Sequence, residues 1–297
     1  RRTSAPEPPS GGRAGQRAPL SGRFDILRDV TGYFRAGEVA AVMGSSGCGK
    51  TTLLDVLSGR VTAGQRSGAV LLGGRPRAKG WVRRNVAYVE QFDKLLPQLT
   101  PAETLLYTAE LKRSALESKA IKRAAVERVI TTLRLQGCRN VLVGDPLTKG
   151  ISGGQAKRLA IGLTLVSEPR VLFLDEPTTG LDSSLANEVA TALRDVAETF
   201  KAAVCATVHA PTSYVFGSFD RILLLGANTG GDANAAPAGL ATHTNGNNDG
   251  AALRQEATLA LLPDFRDRGR VLYFGPLGEG GSAVRAFLER QGDAFPA

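Results

Sequence analysis

The amino-acid sequence predicts an α/β fold built on a mostly parallel core sheet, and three observations lead to it. Short apolar stretches alternate with helical patterns, several of these stretches lack a polar alternation, and a glycine-rich loop joins one of them to a helix. Uninterrupted apolar strands are typical of a parallel sheet that is covered on both faces. The predicted strands are 38–44, 69–74, 85–91, 170–177, 202–210, 221–226 and 270–275.

Two helices follow from glycine positions and apolar spacing. The stretch KTTLLDVLSG (50–59) predicts a helix that Gly59 ends. Apolar residues at helical spacing predict a longer helix over 118–137, ending at Gly137. We expect the region of about residues 95–150 to form a helical subdomain inserted into the α/β domain.

A third helix, 100–112, carries a strong start signal. Thr100 is placed to cap the helix, Pro101 occupies the first helical position, and Glu103 completes a capping box. These residue types satisfy or remove the amide donors that the first turn of a helix leaves unpaired. The sequence therefore predicts that the helix begins at Pro101.

Composition argues against several classes of protein. The 297 residues include 37 Lys and Arg against 28 Asp and Glu, a net charge of +9. The first 23 residues hold five Arg and one acid, so a surplus of four charges lies there. Because no cluster of Lys and Arg interleaved with aromatic residues follows, we expect no nucleic-acid binding. Three cysteines without C-x-x-C spacing indicate a reducing compartment rather than a zinc or disulfide framework.

Two stretches rich in small and polar residues interrupt the predicted domain. Residues 1–23 are predicted to be a disordered basic tail, and 227–252 a flexible insertion loop. The domain itself is expected to span 24–297. No apolar run approaches the 18 or so residues of a membrane helix, so we expect this stretch, taken alone, to be soluble. Met43 is the only methionine, so we expect the stretch to be a fragment of a longer protein.

The loop GSSGCGKTT (44–52) matches G-x-x-x-x-G-K-[ST] between a strand and a helix, the context that this phosphate-binding motif requires. Its glycines allow backbone N–H groups to surround a phosphate, Lys50 reaches the β and γ oxygens, and Thr51 offers a hydroxyl to Mg²⁺. The predicted phosphate-binding residues are Gly44, Ser45, Ser46, Gly47, Cys48, Gly49, Lys50, Thr51 and Thr52.

Acidic and polar residues follow three other predicted strands. VLFLDEP (171–177) places Asp175 to hold Mg²⁺ and Glu176 to deprotonate the attacking water. Gln91 ends the strand 85–91, where its amide can contact Mg²⁺ or the water and report the γ-phosphate. His209 ends the strand 202–210 and is predicted to sense the γ-phosphate, because ligands bind at the carboxyl edge of a parallel sheet.

The stretch ISGGQ (151–155) raises the question of a second anion site. Ser152 caps a predicted helix whose first residues, Gly153 and Gly154, leave backbone N–H groups uncovered. One phosphate-binding loop already exists in the chain. The residues alone do not say which phosphate the second one contacts.

These motifs, in this order and spacing, resemble the nucleotide-binding domain of ATP-binding cassette (ABC) proteins, a P-loop NTPase fold. The resemblance covers about 24–297 and identifies Walker A, the Q-loop, the signature, Walker B, a D-loop (GLDSS, 180–184) and the H-loop. It implies ATP and Mg²⁺ as cofactors, an antiparallel β portion, and two cassettes that sandwich two ATP molecules. Each signature then contacts the ATP held by the partner cassette. The residues implied in that contact are Ser152, Gly153, Gly154, Gln155 and Asp182.

Three further stretches resemble the G subfamily of ABC transporters: LPQLTPAETL (96–105), VHAPTSYVFGSFDRILLL (208–225) and GRVLYFGPLGE (269–279). Gln155 departs from the Glu usual in that subfamily. For the aromatic residue that stacks on adenine, Phe24 is the only candidate before Tyr33, and it is not assigned that role.

The resemblance implies an ATP-hydrolysing domain on the cytosolic face of a membrane, powering export of lipids, sterols or hydrophobic compounds. Its expected partners are a second cassette, identical or not, and a transmembrane domain C-terminal to this stretch, which would bind the hydrophobic substrate. The alternative is a soluble ABC ATPase that acts on ribosomes or nucleic acid.

Overall fold

A computed structural model describes residues 26–28, 30–61, 64–92, 94–145, 149–226, 259–262, 271–277 and 282–283. The predicted tail 1–23 and insertion 227–252 lie outside these residues, as does Phe24. In chain order the elements are β1 (Gly32–Phe34), β2 (Val39–Gly44), α1 (Lys50–Ser58), β3 (Ala69–Leu72), β4 (Arg75–Pro76), α2 (Lys79–Asn85), β5 (Val86–Val89), α3 (Pro101–Lys112), α4 (Lys119–Thr132), α5 (Gly153–Leu165), β6 (Val171–Leu174), α6 (Ser183–Phe200), β7 (Ala203–Thr207), α7 (Ser213–Gly217), β8 (Arg221–Leu225), β9 (Leu259–Leu262) and β10 (Val271–Pro276).

The core sheet is mostly parallel, as predicted. Among the described residues its strand order is β10-β8-β2-β7-β6-β5, and only the pairing of β10 with β8 is antiparallel. The central strands β6 and β7 are buried at every position, which explains why their sequences show no polar alternation. Burial also raises the pKa of the Cys205 thiol in β7, so this cysteine stays protonated.

The predicted antiparallel β portion is a second sheet. Its order in the described residues is β1-β9-β3-β4, with every pairing antiparallel. The fold class inferred from the sequence, a parallel core sheet with an antiparallel portion and helices, is therefore confirmed.

Both faces of the core sheet are covered. Along β2, Val39 and Ala41 face a core shared with helices α5 and α6, whereas Ala40 and Val42 face a core shared with α1. Successive side chains of a strand point to opposite faces, so a doubly covered strand must be apolar throughout. This arrangement leaves the ends of the strands as the places where polar side chains can gather.

The helices between β5 and β6 begin as their sequences predict. Thr100 caps α3, Pro101 opens it, and both hydrogen bonds of the capping box with Glu103 are present. Helix α3 packs against α4 and α5. Among the described helices, none is long and apolar enough to cross a membrane.

The predicted end of helix 118–137 at Gly137 is wrong. Helix α4 stops at Thr132, and Arg134 has a left-handed backbone with φ 53°. An α-helix cannot continue through that conformation. The chain turns there so that Leu133 and Leu135 are both fully buried, and a short 3₁₀ turn follows at Gln136–Cys138. Tertiary burial overrides the local signal that Gly137 gives.

Candidate active site

The loop between β2 and α1 has the backbone of a phosphate cradle. Gly47 and Gly49 have φ of 78° and 101°, which glycine adopts without strain. A Cβ on Gly44 would lie 2.4 Å from the carbonyl oxygen of Leu225, so no side chain fits there. The Lys50 Nζ donates to the carbonyl oxygens at both 44 and 45, at 2.9 and 3.0 Å. The Lys50 ammonium group therefore lies against the first two residues of the loop, next to the amides that would surround a phosphate.

Three hydroxyl groups converge on the Asp175 carboxylate at the end of β6. Thr207 Oγ1 donates to Oδ1 at 2.7 Å, Thr51 Oγ1 donates to the same oxygen at 3.1 Å, and Tyr88 donates to Oδ2 at 3.3 Å. Burial and the nearby Asp175 raise the pKa of Tyr88, which keeps its phenol protonated as a donor. Residues from three separate elements, β7, α1 and β5, thus fix one carboxylate.

The pairing of Thr51 with Asp175 fits Mg²⁺. Mg²⁺ binds hard oxygen ligands and is usually held by one or two protein groups together with waters and phosphate oxygens. A hydroxyl and a carboxylate oxygen 3.1 Å apart at the phosphate loop supply such a pair. Gln91, the third predicted ligand, instead donates its amide to Glu176. No cluster of three or more His, Cys, Asp or Glu residues suited to a metal occurs in the described part of the chain.

Glu176 has a strained backbone and two side-chain donors. Its φ is 45°, a left-handed value uncommon for a non-glycine residue, and its N–H donates to Thr207 Oγ1 at 2.8 Å. The carboxylate oxygen Oε2 accepts from Gln91 Nε2 at 2.8 Å and from Thr179 Oγ1 at 3.0 Å. The structure therefore brings together Glu176 and Gln91, which lie 85 positions apart in the chain.

A lysine that the sequence analysis missed connects this site to α5. Lys157 is 4% exposed, and its Nζ donates to the backbone oxygen of Gln91 at 2.8 Å. Burying an ammonium group is costly unless it is hydrogen-bonded, so this contact constrains the loop that carries Gln91. Its position in the second turn of α5, two residues after Gln155, is the only signal that the sequence offers.

The start of α5 contains two N–H groups without a recorded acceptor in the described part of the chain, those of exposed Gly153 and buried Gly154. Ser152 and Gln155 form a capping box, each side chain accepting the other residue's N–H. A Cβ on Gly154 would lie 3.0 Å from Leu185 of α6, so this glycine also serves helix packing.

Some of the predicted site residues do not contact the cluster around Asp175 and the phosphate loop. Ser152 and Gly153 are exposed, and no hydrogen bond among the described residues joins them to the phosphate loop. Asp182 accepts from the N–H of Leu185 as the cap of α6. His209 is exposed beyond β7, without a recorded bond to Glu176. These residues face outward from the cluster around Asp175.

Comparison with known proteins settles the family. The family described as "ABC transporter" matches residues 27–179, slightly more than half of the chain. The chain belongs to the ABC transporter family. Its matched region contains the phosphate loop, the Gln91 loop, the start of α5 and the acidic pair that ends β6. The ATPase domains of ABC transporters hydrolyse ATP, and this chain is such a domain.

Similar curated proteins are named as G-family members. ABC transporter G family member 43 of Arabidopsis thaliana is 36% identical over 90% of this chain, and G family member STR2 of Medicago truncatula 42% over 68%. The G family member 41 of Oryza sativa subsp. japonica is 41% identical over 73%. The matched regions cover 16%, 27% and 15% of those proteins, so this ABC transporter domain spans a small part of their length.

A solved structure shows the same fold. The cbiO1 protein of Clostridium perfringens, described as part of the ABC transporter complex cbiONQ, aligns with a TM-score of 0.55 at 26% identity. The alignment covers 64% of this chain and 74% of that one. The fold of this ABC transporter domain is thus shared with a component of another ABC transporter complex.

We predict that Thr207→Val removes the hydrogen bonds that join the Asp175 carboxylate to the backbone N–H of Glu176 in this ABC transporter domain. Thr207 is fully buried and bridges Asp175 and the Glu176 N–H through one hydroxyl. Valine keeps the shape but leaves that N–H unpaired, which costs about 1–3 kcal/mol. The midpoint of denaturant unfolding should fall accordingly, and MgATP affinity should weaken. Thr207→Ser retains the hydroxyl and is the matched control; equal unfolding midpoints for the two variants would contradict the bridging role.

Proposed function

We propose that the chain is the ATP-hydrolysing cassette of a G-subfamily exporter that moves lipids, sterols or other hydrophobic compounds. The catalytic part of the proposal rests on the hydrogen bond from Gln91 to Glu176. The residue before Glu176, Asp175, accepts a hydrogen bond from Thr51 of the phosphate loop. A carboxylate base, an orienting amide and a phosphate-binding loop then share one edge of the sheet. The names of the similar proteins support a transporter rather than an ATPase of ribosomes or nucleic acid.

In this proposal the phosphates of ATP bind the amides of the loop 44–52 and Lys50, which exchanges its two carbonyl acceptors for phosphate oxygens. Thr51 and Asp175 hold Mg²⁺, which when bound offsets charge on the phosphates. Among the described residues, both donors to Glu176 contact Oε2. The other oxygen, Oε1, is therefore the one that takes a proton from the attacking water, while Gln91 keeps the carboxylate aimed.

The outward-facing residues complete the site of a second cassette. The N–H groups of Gly153 and Gly154 are suited to a γ-phosphate that another chain presents, because the first turn of a helix attracts anions. Ser152, Gln155 and Asp182 shape that surface. His209 is the exception among the outward-facing residues: it follows β7 at the carboxyl edge of its own sheet, where it would contact the γ-phosphate bound by its own chain. Two cassettes would close on two ATP molecules and reopen after hydrolysis.

The membrane partner is proposed from the surface next to Gln91. Phe92 and Leu96, just after this residue, are 78% and 51% exposed, and Val141 and Leu142 are exposed as well. The two segments are joined by backbone hydrogen bonds from Val143 to Leu99 and from Gly144 to Pro97, and exposed apolar side chains on neighbouring segments are typical of an interaction surface. We place the transmembrane domain there, so that closure of the cassettes moves it and the cassette works at the cytosolic face of the membrane.

Each proposed ATP site needs two chains, so activity should depend on concentration. We predict that the 297-residue chain is mainly monomeric at micromolar concentration and a poor ATPase there. Turnover per molecule should rise with protein concentration because association completes the sites. Initial rates measured over a hundredfold dilution series test this. High activity that stays constant across the series would contradict the two-chain site.

A further inference from the structure

The core sheet ends at β5, and a cavity of about 820 Å³ lies beside that strand. Residues from the end of α2, the end of α3 and the loop between α5 and β6 complete its lining. Within the described residues β5 pairs with β6 on one side only. An edge strand leaves alternate N–H and C=O groups free to pair with another strand. The N–H of Val86 already donates to the oxygen of Val82 in α2, so the backbone groups available beside the cavity are those that follow it in β5.

The lining of this cavity is positively charged. The lining contains five basic and two acidic residues. Arg113 forms ion pairs with both acids, at 2.6 Å from Glu117 and 3.3 Å from Glu168. Arg113 also donates to the backbone oxygen of Val166, which holds it in place. The cations that remain without a carboxylate partner among the described residues are Arg83, Arg84, Lys112 and Arg170.

Two of these cations mark the start of the edge strand. Arg83 lies in the last turn of α2 and Arg170 immediately precedes β6; both are exposed. The N–H of Arg170 donates to the oxygen of Asn85 at 2.8 Å, so this arginine lies beside the residue that immediately precedes β5. In the described part of the chain neither guanidinium has a hydrogen bond or ion pair. Exposed arginines without partners are available to a ligand's carboxylates.

We propose that this cavity is a docking site for an acidic, extended peptide segment that adds a strand to the edge of β5. In strand addition the backbone pairing provides affinity and the flanking side chains provide selectivity. The lining includes three consecutive residues of β5, 86–88, which matches a segment of about 10 Å in extended form. A row of residues along one strand suits an extended chain better than a compact anion. The half-buried Val86 and Ala87 would contact its apolar side chains.

The test uses the 297-residue chain and a fluorescein-labelled peptide of four Glu-Val repeats with blocked ends. Saturating MgADP is present throughout, so that the phosphate loop is occupied. Fluorescence anisotropy should give a measurable Kd that weakens as salt rises. The double variant Arg83→Glu with Arg170→Glu should weaken binding more than tenfold, because attraction becomes repulsion at both positions. The double variant Lys119→Glu with Arg123→Glu, two exposed positions of α4 outside the cavity, changes the net charge equally and should bind as the unmodified chain does.

A peptide of four Glu-Pro repeats separates strand addition from simple charge attraction. It has the same charge, but proline has no N–H to donate to an edge strand. We expect it to bind at least tenfold more weakly than the Glu-Val peptide. Equal binding of the two peptides, displacement of the Glu-Val peptide by millimolar inorganic phosphate, or equal losses in the two double variants would overturn the proposal. All three readings measure binding alone, so the outcome is independent of whether the chain hydrolyses ATP.

Discussion

Replacing Glu176 by Gln should lower steady-state ATP turnover by about 10²–10⁴, the range typical of losing a general base. The amide keeps the shape of the side chain, and its oxygen can still accept from Gln91 and Thr179, which both contact one carboxylate oxygen. The variant loses only the ability to take a proton from water. MgATP affinity should therefore be preserved, and an ATP-bound dimer should persist longer during size-exclusion chromatography than that of the unmodified chain.

A matched control for this variant is Glu90→Gln. Glu90 lies just before Gln91, and its ion pairs with Lys94 and Arg60 lower the pKa of the carboxyl to about 2. It is exposed and has no recorded contact with Asp175 or Glu176. Turnover should change little in this control. If Glu176→Gln hydrolysed ATP at the unmodified rate, Glu176 would not be the base; a loss of nucleotide affinity would instead place it among the binding residues.

Local signals in the sequence predict local structure well in this chain. The capping box of Thr100 and Glu103 and the left-handed glycine that ends α1 at Gly59 involve residues only a few positions apart. Their energetics are decided within one turn, so they can be predicted without knowledge of the fold. The buried strands β6 and β7 could be predicted from their own residues as well, because burial on both faces leaves an apolar run in which Thr207, the last residue of β7, is the one polar residue.

Contacts between distant parts of the chain could not be predicted in this way. Thr207 and Tyr88 are ordinary residues in apolar strands, and they become partners of Asp175 only because parallel strands bring their ends to one edge. Helix α6 was missed although Asp182 caps it and seven of its residues are buried. The first residues of α6 belong to the D-loop motif GLDSS, whose predicted role is nucleotide contact, although the helix that follows is a conventional amphipathic one. At Arg134 a helix was predicted where none forms: the pattern predicts a helix over 118–137, but α4 ends at Thr132 and a turn with buried leucines follows.

The second large effect concerns the role of Gly153 across two chains. A Cβ on Gly153 would lie 3.6 Å from Leu181, an ordinary contact, so an aspartate fits without disturbing the packing of α5. Its charge, however, would repel a phosphate at the N–H groups of that helix start. In one preparation the chain carries Lys50→Ala and in another Gly153→Asp. Either homodimer then has a defect in both of its sites and should be nearly inactive.

Mixing the two chains should restore activity if the signature acts on its partner's ATP. In a mixed dimer one site collects both defects, while the other combines the intact phosphate loop of one chain with the intact Gly153 of the other. Random pairing gives half mixed dimers with one of two sites intact, so roughly a quarter of full activity should return. Gly153→Ala, which adds the same carbon without charge, is the control and should stay active. If mixed dimers form, as affinity-tagged copurification can verify, and no activity returns at any ratio, Gly153 acts within its own chain. The two-chain site would then be wrong, because every active site would retain its own defect regardless of its partner.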